Sequence, residues 1–111
     1  MERLGNGMEH RWGERVRVNL PVYVSAGAFA GFDGCMKNLS LSGALVKSDW
    51  DLRLHSLIEV HIKLPPPSPR VDIVRAQVSR KLTEGVGIEW CEFAPTIVKD
   101  LLRSQSVRFP A

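Results

Sequence analysis

Apolar and polar residues alternate along three short segments of this chain. At 16–25, 58–64 and 86–90 every second residue is apolar, and most of the residues between them are polar. Successive side chains of an extended strand point to opposite faces. This period of two therefore predicts β-strands that turn one face to a core and the other to water.

Three more strands are predicted from their apolar content and from the turns that bound them. They lie at Phe32–Leu39, at 44–46 and at 71–81. In the last of these, the apolar positions change from odd to even numbers between Ile73 and Val74. Such a change of phase predicts a bulge or a sharp bend, as the closure of a barrel requires.

Prolines mark two places where a regular ladder should be interrupted. Pro21 has no N–H to donate, so the first strand is predicted to run at an edge or to carry a bulge at this point. The sequence Pro-Pro-Pro-Ser-Pro at 65–69 predicts a stiff loop that ends the fourth strand.

One helix is predicted at the end of the chain. Pro95 suits the first turn of a helix, and an apolar stripe follows it at helical spacing. The stripe consists of Ile97, Val98, Leu101 and Leu102. The expected fold is therefore all-β with a C-terminal helix: a six-stranded antiparallel β-barrel over about 16–92 and a helix over about 95–104.

Composition sets limits on this fold and on its partners. A chain of 111 residues with 44% hydrophobic residues has room for one domain and one core. It has no apolar run near the roughly 18 residues that span a bilayer, and its first ten residues do not resemble a secretory signal. These features predict a cytoplasmic protein with no membrane segment. A net charge of +3 favours an anionic partner without specifying its class.

Residue types that carry catalysis or bind metals show no productive spacing. His10, His55 and His61 lack a metal-ligand pattern, and no nucleophile elbow or phosphate-binding loop is present. His61 lies on the polar face of its strand, where a solvated side chain is expected. Cys35 and Cys91 adjoin apolar residues and are expected to be inert buried thiols. The sequence therefore predicts a binding protein with no metal or cofactor, and not an enzyme.

Two polar clusters are candidates for a binding site. Arg11-Trp12-Gly13-Glu14-Arg15 directly precedes the first strand, and a guanidinium group can pair with phosphate oxygens or with the O6/N7 edge of guanine. Asn38-Leu39-Ser40-Leu41-Ser42-Gly43 ends the second strand. Taken separately, the first cluster could be a solvated basic stretch and the second an ordinary turn.

Together the two clusters resemble the signature of PilZ domains, bacterial receptors for the second messenger cyclic di-GMP. In that family, Arg-x-x-x-Arg precedes an apolar strand and Asp/Asn-x-Ser-x-x-Gly follows about twenty residues later. The flanking segments "VRVNLPVYV", "GALVKS" and "GVGIEW" are also similar. The resemblance implies a PilZ domain of the split-barrel type over 11–111, after a flexible N-terminal tail at 1–10.

The resemblance also implies roles for individual residues. Arg11 and Arg15 would hold phosphates and guanine edges. Asn38 and Ser40 would hydrogen-bond a guanine or position the loop. Gly43 would supply either a positive φ or room for close approach.

Four further positions bear on how the ligand would be held. Many relatives have Asp where this chain has Asn38, and an amide offers only one acceptor oxygen, so binding is expected to persist, if more weakly. His10 flanks the arginine motif, where side chains bear on ligand stoichiometry. Trp12 could close over the ligand or pack on the barrel. Trp90 falls on the apolar phase of its strand, so core packing is expected ahead of guanine stacking.

The arginines of the polar, Gly-containing N-terminal segment suggest, as a hypothesis, a receptor whose segment becomes ordered when the ligand binds. Cyclic di-GMP would order the arginine segment against the barrel and create a surface for an unidentified downstream protein. Two alternatives remain at this point: a PilZ-like interaction module of the pilus-assembly type that binds no nucleotide, and a small basic barrel for single-stranded nucleic acid. The 7% aromatic content argues against the second, so no DNA or RNA partner is expected.

Overall fold

The computed structural model describes residues 15–27, 31–49, 51–64 and 70–108, with side chains as far as 104. Within these residues the elements are β1 Val16–Ser25, β2 Phe32–Leu39, β3 Gly43–Lys47, β4 Leu57–Leu64, β5 Arg70–Leu82, β6 Gly85–Trp90 and α1 Thr96–Arg108. All neighbouring strands are antiparallel, and they close a barrel in the order β1-β2-β3-β6-β5-β4. The predicted fold class is confirmed. The predicted tail at 1–10 and loop at 65–69 lie outside the described residues.

The barrel encloses a single apolar core. The alternating positions of the strands supply fully buried side chains such as Met36, Val60 and Ile62. Helix α1 adds the predicted stripe, with Ile97, Val98 and Leu101 buried and Leu102 partly buried against the same cluster. Burial of this stripe holds the helix on the barrel. Within the described part of the chain, no helix is long and apolar enough to cross a membrane.

Strand β5 differs from the prediction at its change of phase. Its register with β4 is continuous from Arg70 to Gln77, so the predicted bulge between Ile73 and Val74 is wrong. Val71 and Ile73 point outward and are 53% and 56% exposed. The strand stays regular because apolar side chains can occupy a solvent face. The irregularity of β5 occurs later, between Val78 and Arg80, where it pairs with β6.

Pro21 lies on a part of β1 that pairs with only one neighbouring strand. Strand β1 pairs with β4 only over Val22–Ser25, whereas Pro21 pairs with Cys35 of β2. The missing N–H is tolerated because Pro21 has no β4 partner among the described residues. Strand β1 itself lies between β2 and β4 in the closed barrel, so the prediction that it runs at an edge is wrong. Its register shift lies between Arg17 and Leu20 and not at Pro21.

Three reactive side chains have surroundings that differ from the prediction. Cys91 is exposed, directly after β6, and Cys35 is only half-buried. The Cys35 thiol donates to Asn19 Oδ1 at 2.9 Å on the barrel exterior. His61 is half-buried because its ring packs edge-to-face on Tyr23, with centroids 5.4 Å apart. The alternating pattern predicted that His61 lies on the outer face of its strand, but it could not predict which side chains it contacts there.

Candidate functional site

A hydrogen bond between Arg15 and Asn38 joins the two polar clusters. Arg15 directly precedes β1, and Asn38 lies near the end of β2, where the antiparallel ladder pairs it with Arg17. Arg15 Nη1 donates to Asn38 Oδ1 at 2.8 Å, across 23 positions of sequence. Because β1 and β2 are antiparallel, the start of β1 lies beside the end of β2, and the two motifs meet there. The contact lies on the exposed outer surface of the barrel.

Ser40 builds the turn between β2 and β3. Its side chain is fully buried, and Ser40 Oγ accepts from the backbone N–H groups of Gly43 at 3.2 Å and Ser42 at 3.3 Å. The Ser40 backbone N–H donates to the Gly43 carbonyl at 2.8 Å. A buried hydroxyl that satisfies backbone donors in this way fixes a turn. Of the two roles considered for Ser40, these contacts support positioning the loop. Contact with a ligand stays a prediction.

Gly43 allows strands β3 and β6 to approach each other closely. It pairs with Glu89, and a Cβ added at Gly43 would collide with the carbonyl oxygen of Ile88. Gly43 does not have the positive φ that Gly27 has. Of the two reasons considered for this glycine, close approach is therefore the one that the backbone requires.

Trp90 supports the turn from the core side. The residue is 7% exposed, as its place on the apolar phase predicted. Its indole Nε1–H donates to the Ser40 carbonyl at 3.2 Å, and its backbone N–H donates to the Ser42 carbonyl at 3.0 Å. A buried indole needs such an acceptor. Trp90 therefore acts on the turn, and guanine stacking by it stays a prediction.

A pocket of about 260 Å³ opens on the outer wall beside the turn. Its lining consists of Arg15, Ser42, Gly43, Ser79, Arg80, Gly87, Ile88 and Glu89. Arg80 pairs with Gly87 across the β5–β6 ladder. Arg80 Nε lies 3.5 Å from where a Cβ on Gly87 would be, so the Arg80 side chain lies over this glycine. The pocket therefore presents two guanidinium groups, those of Arg15 and Arg80, on one surface.

Arg80 and Glu89 were not predicted as site residues. Both lie far from the two motifs in sequence, and only the register of β6 against β3 and β5 brings them to the turn. The register shift after Val78 also changes which face of β5 a residue occupies. The polar run at 79–81 and the two glycines at 85 and 87 were the signals available in the sequence.

Three predicted residues, Asn38, Ser40 and Trp90, do not line this pocket. Three others, His10, Arg11 and Trp12, lie outside the described residues.

A second polar contact lies elsewhere on the barrel. Asp51 and Lys81 form an ion pair at a different pocket, of about 170 Å³. The hydrogen bond from Lys81 lowers the pKa of the Asp51 carboxyl. Among the described residues, no three His, Cys, Asp or Glu side chains are grouped as metal ligands.

Comparisons with known proteins agree with this architecture. The model of the PilZ domain family matches residues 9–106. The Bacillus subtilis inhibitor of motility, MotI/DgrA, is similar in structure with a TM-score of 0.67 and 20% identity over 85% of this chain and 48% of that chain. The PilZ domain of CeSA from a cellulose-synthesising bacterium gives a TM-score of 0.63 and 20% identity over 81% and 92% of the two chains.

These matches differ in what they establish. At 20% identity, the two solved structures show a shared fold. The chain spans about half the length of MotI/DgrA. No curated protein matches the chain significantly. The family match is the more informative finding, because it extends over most of the chain and includes both polar clusters.

Proposed function

Because the chain belongs to the PilZ domain family, whose members include receptors for cyclic di-GMP, we propose that it is a non-enzymatic cyclic di-GMP receptor. The ligand would lie on the outer wall of the barrel, over the pocket that Arg15 and Arg80 line. The observation that carries this proposal is the hydrogen bond from Arg15 to Asn38, because it joins one residue of each signature cluster beside the pocket.

The chemistry of the pocket suits the ligand. Cyclic di-GMP presents two phosphates and two guanine edges. The guanidinium groups of Arg15 and Arg80 can each make paired, charge-assisted hydrogen bonds to a phosphate or to guanine O6 and N7. The Asn38 amide has its oxygen occupied by Arg15, which leaves its NH₂ group to donate to a guanine acceptor. Ser40 and Gly43 would hold the turn in the shape that the ligand meets.

The N-terminal segment would complete the site. Arg11 would add a further guanidinium, His10 would bear on whether one ligand or an intercalated pair binds, and Trp12 would cover the ligand or pack on the barrel. We propose that binding orders this segment, because a dianion offsets the repulsion among its arginines. The ordered segment would then form a surface for a downstream protein.

Isothermal titration of the purified protein with cyclic di-GMP tests the proposal. GMP and a short single-stranded RNA serve as controls. The proposal predicts saturable binding of cyclic di-GMP and no comparable binding of either control. Absence of heat at high micromolar ligand would contradict it and would favour the interaction-module alternative. Salt-dependent binding of the RNA alone would favour a nucleic-acid-binding barrel instead.

A further inference from the structure

We propose that Glu89 determines guanine specificity at this site, by accepting hydrogen bonds from guanine N1–H and N2–H. This inference rests on the proposed function and adds a base-reading residue to it. Glu89 lies outside both signature clusters, and its proposed role is to distinguish guanine from other nucleobases.

The structure places Glu89 at the centre of the strands that form the pocket. It lies in β6, opposite Gly43 of β3 on one side and Gln77 of β5 on the other. Its side chain is exposed and lines the same pocket as Arg15 and Arg80. Gly43 has no side chain that could screen the carboxylate from a ligand lying over the turn.

The Glu89 carboxylate is available for a ligand. Within the described part of the chain it forms no hydrogen bond and no ion pair, although two guanidinium groups line the same pocket. Two neighbouring polar side chains already have partners. Asn38 Oδ1 accepts from Arg15 at 2.8 Å, and Ser79 Oγ donates to the Gly87 carbonyl at 3.2 Å. Glu89 therefore supplies the free pair of acceptor oxygens in the pocket lining.

A negatively charged carboxylate is unexpected in a pocket that binds a dianion, unless it contacts a hydrogen-bond donor of the ligand. By charge alone it repels phosphate and weakens binding. Guanine, however, presents N1–H and N2–H side by side on its Watson–Crick edge, and two carboxylate oxygens can accept from both. The Asn38 amide does not offer this pair of acceptors, since it has one oxygen, which already accepts from Arg15. Glu89 thus supplies the acceptor pair that Asn38 lacks.

The two explanations of Glu89 predict opposite effects of the Glu89→Gln substitution. If the carboxylate only repels the ligand, its neutralisation tightens binding of any cyclic dinucleotide. If it reads guanine, neutralisation weakens binding and does so selectively. A site built to bond a particular donor discriminates against an analogue that lacks it, because an acceptor that the ligand covers is then left without a partner.

The experiment compares cyclic di-GMP with cyclic di-IMP, which lacks the N2 amino group, by isothermal titration. The wild type is expected to prefer cyclic di-GMP by about tenfold or more, the discrimination typical of a bidentate base contact. Glu89→Gln is expected to weaken cyclic di-GMP binding by about tenfold and to reduce the preference to about twofold. Glu92→Gln is the matched control, because Glu92 is an exposed carboxylate that lines a different pocket.

Each result decides between the proposals. Equal or tighter binding of cyclic di-GMP by Glu89→Gln, or an unchanged preference over cyclic di-IMP, overturns the role of Glu89 while the receptor function stands. No binding of cyclic di-GMP by the wild type overturns both. Thermal unfolding of each variant identifies any loss of affinity that comes from misfolding, and an exposed strand position is expected to leave the melting temperature unchanged.

Discussion

Replacing Arg15 with alanine is expected to weaken cyclic di-GMP binding by at least about tenfold. Hydrogen bonds to charged groups contribute about 1.5–3 kcal/mol each. The variant would lack both the paired bonds of Arg15 to the ligand and its contact to Asn38. Arg11→Ala is expected to have a similar effect. Isothermal titration of each variant against the wild type measures the change.

Two further substitutions make this result specific. Arg15→Lys keeps the charge but not the planar fork, so its affinity should lie between those of the wild type and the alanine variant. Arg70→Ala removes an exposed arginine at the other end of β5, where it pairs with Asp72 at 3.3 Å. Affinity should not change in that control. Wild-type affinity in both Arg11→Ala and Arg15→Ala would exclude the site.

Replacing Gly43 with alanine is expected to destabilise the whole domain. The added methyl group would collide with the Ile88 carbonyl, which belongs to the backbone of β6 and can move only if the β3–β6 ladder opens. Overpacking of this kind costs about 1–3 kcal/mol and occasionally more. That is a large part of the roughly 5–15 kcal/mol by which small domains are stable. Urea unfolding of wild type and variant measures the difference in the free energy of unfolding.

A neighbouring serine provides the control for this substitution. Ser42 lies in the same turn, is exposed and already has a Cβ, so Ser42→Ala adds no collision. It removes only the hydroxyl contact to Ser40 Oγ at 3.2 Å, and its cost should be about 1 kcal/mol or less. If Gly43→Ala were no less stable than Ser42→Ala, close approach of β3 and β6 would not explain the glycine.

The fold could be predicted from the sequence wherever one face of a strand is buried. Alternation at Leu57–Leu64 identified the inward side chains because the core accepts only the apolar face. The same reasoning failed in β5 at Val71 and Ile73, which are apolar and yet exposed. Hydrophobicity marks residues that can be buried, whereas the register with β4 decides which of them are.

The candidate site could be predicted only as far as its linear motifs extend. Arg15, Asn38 and Gly43 belong to two short clusters with a characteristic order and spacing. Strand pairing brings Arg80 and Glu89 next to these residues. Counting every second residue along β5 would put Arg80 on the same face as Val78, but the register shift between them turns Arg80 to the outer face. A sequence cannot show that shift, because its position depends on how β5 and β6 pack in the closed barrel.

Titration of ¹⁵N-labelled protein with cyclic di-GMP, followed by amide chemical shifts, shows whether the ligand binds on this wall of the barrel. We expect saturable shifts at the amides that line the pocket, those of Ser42, Gly43, Gly87 and Glu89. The amides of Val71 and Ile73, on the outer face of β5 away from that pocket, should not move. Shifts concentrated at Val71 and Ile73, or no shifts at saturating ligand, would contradict binding at this pocket.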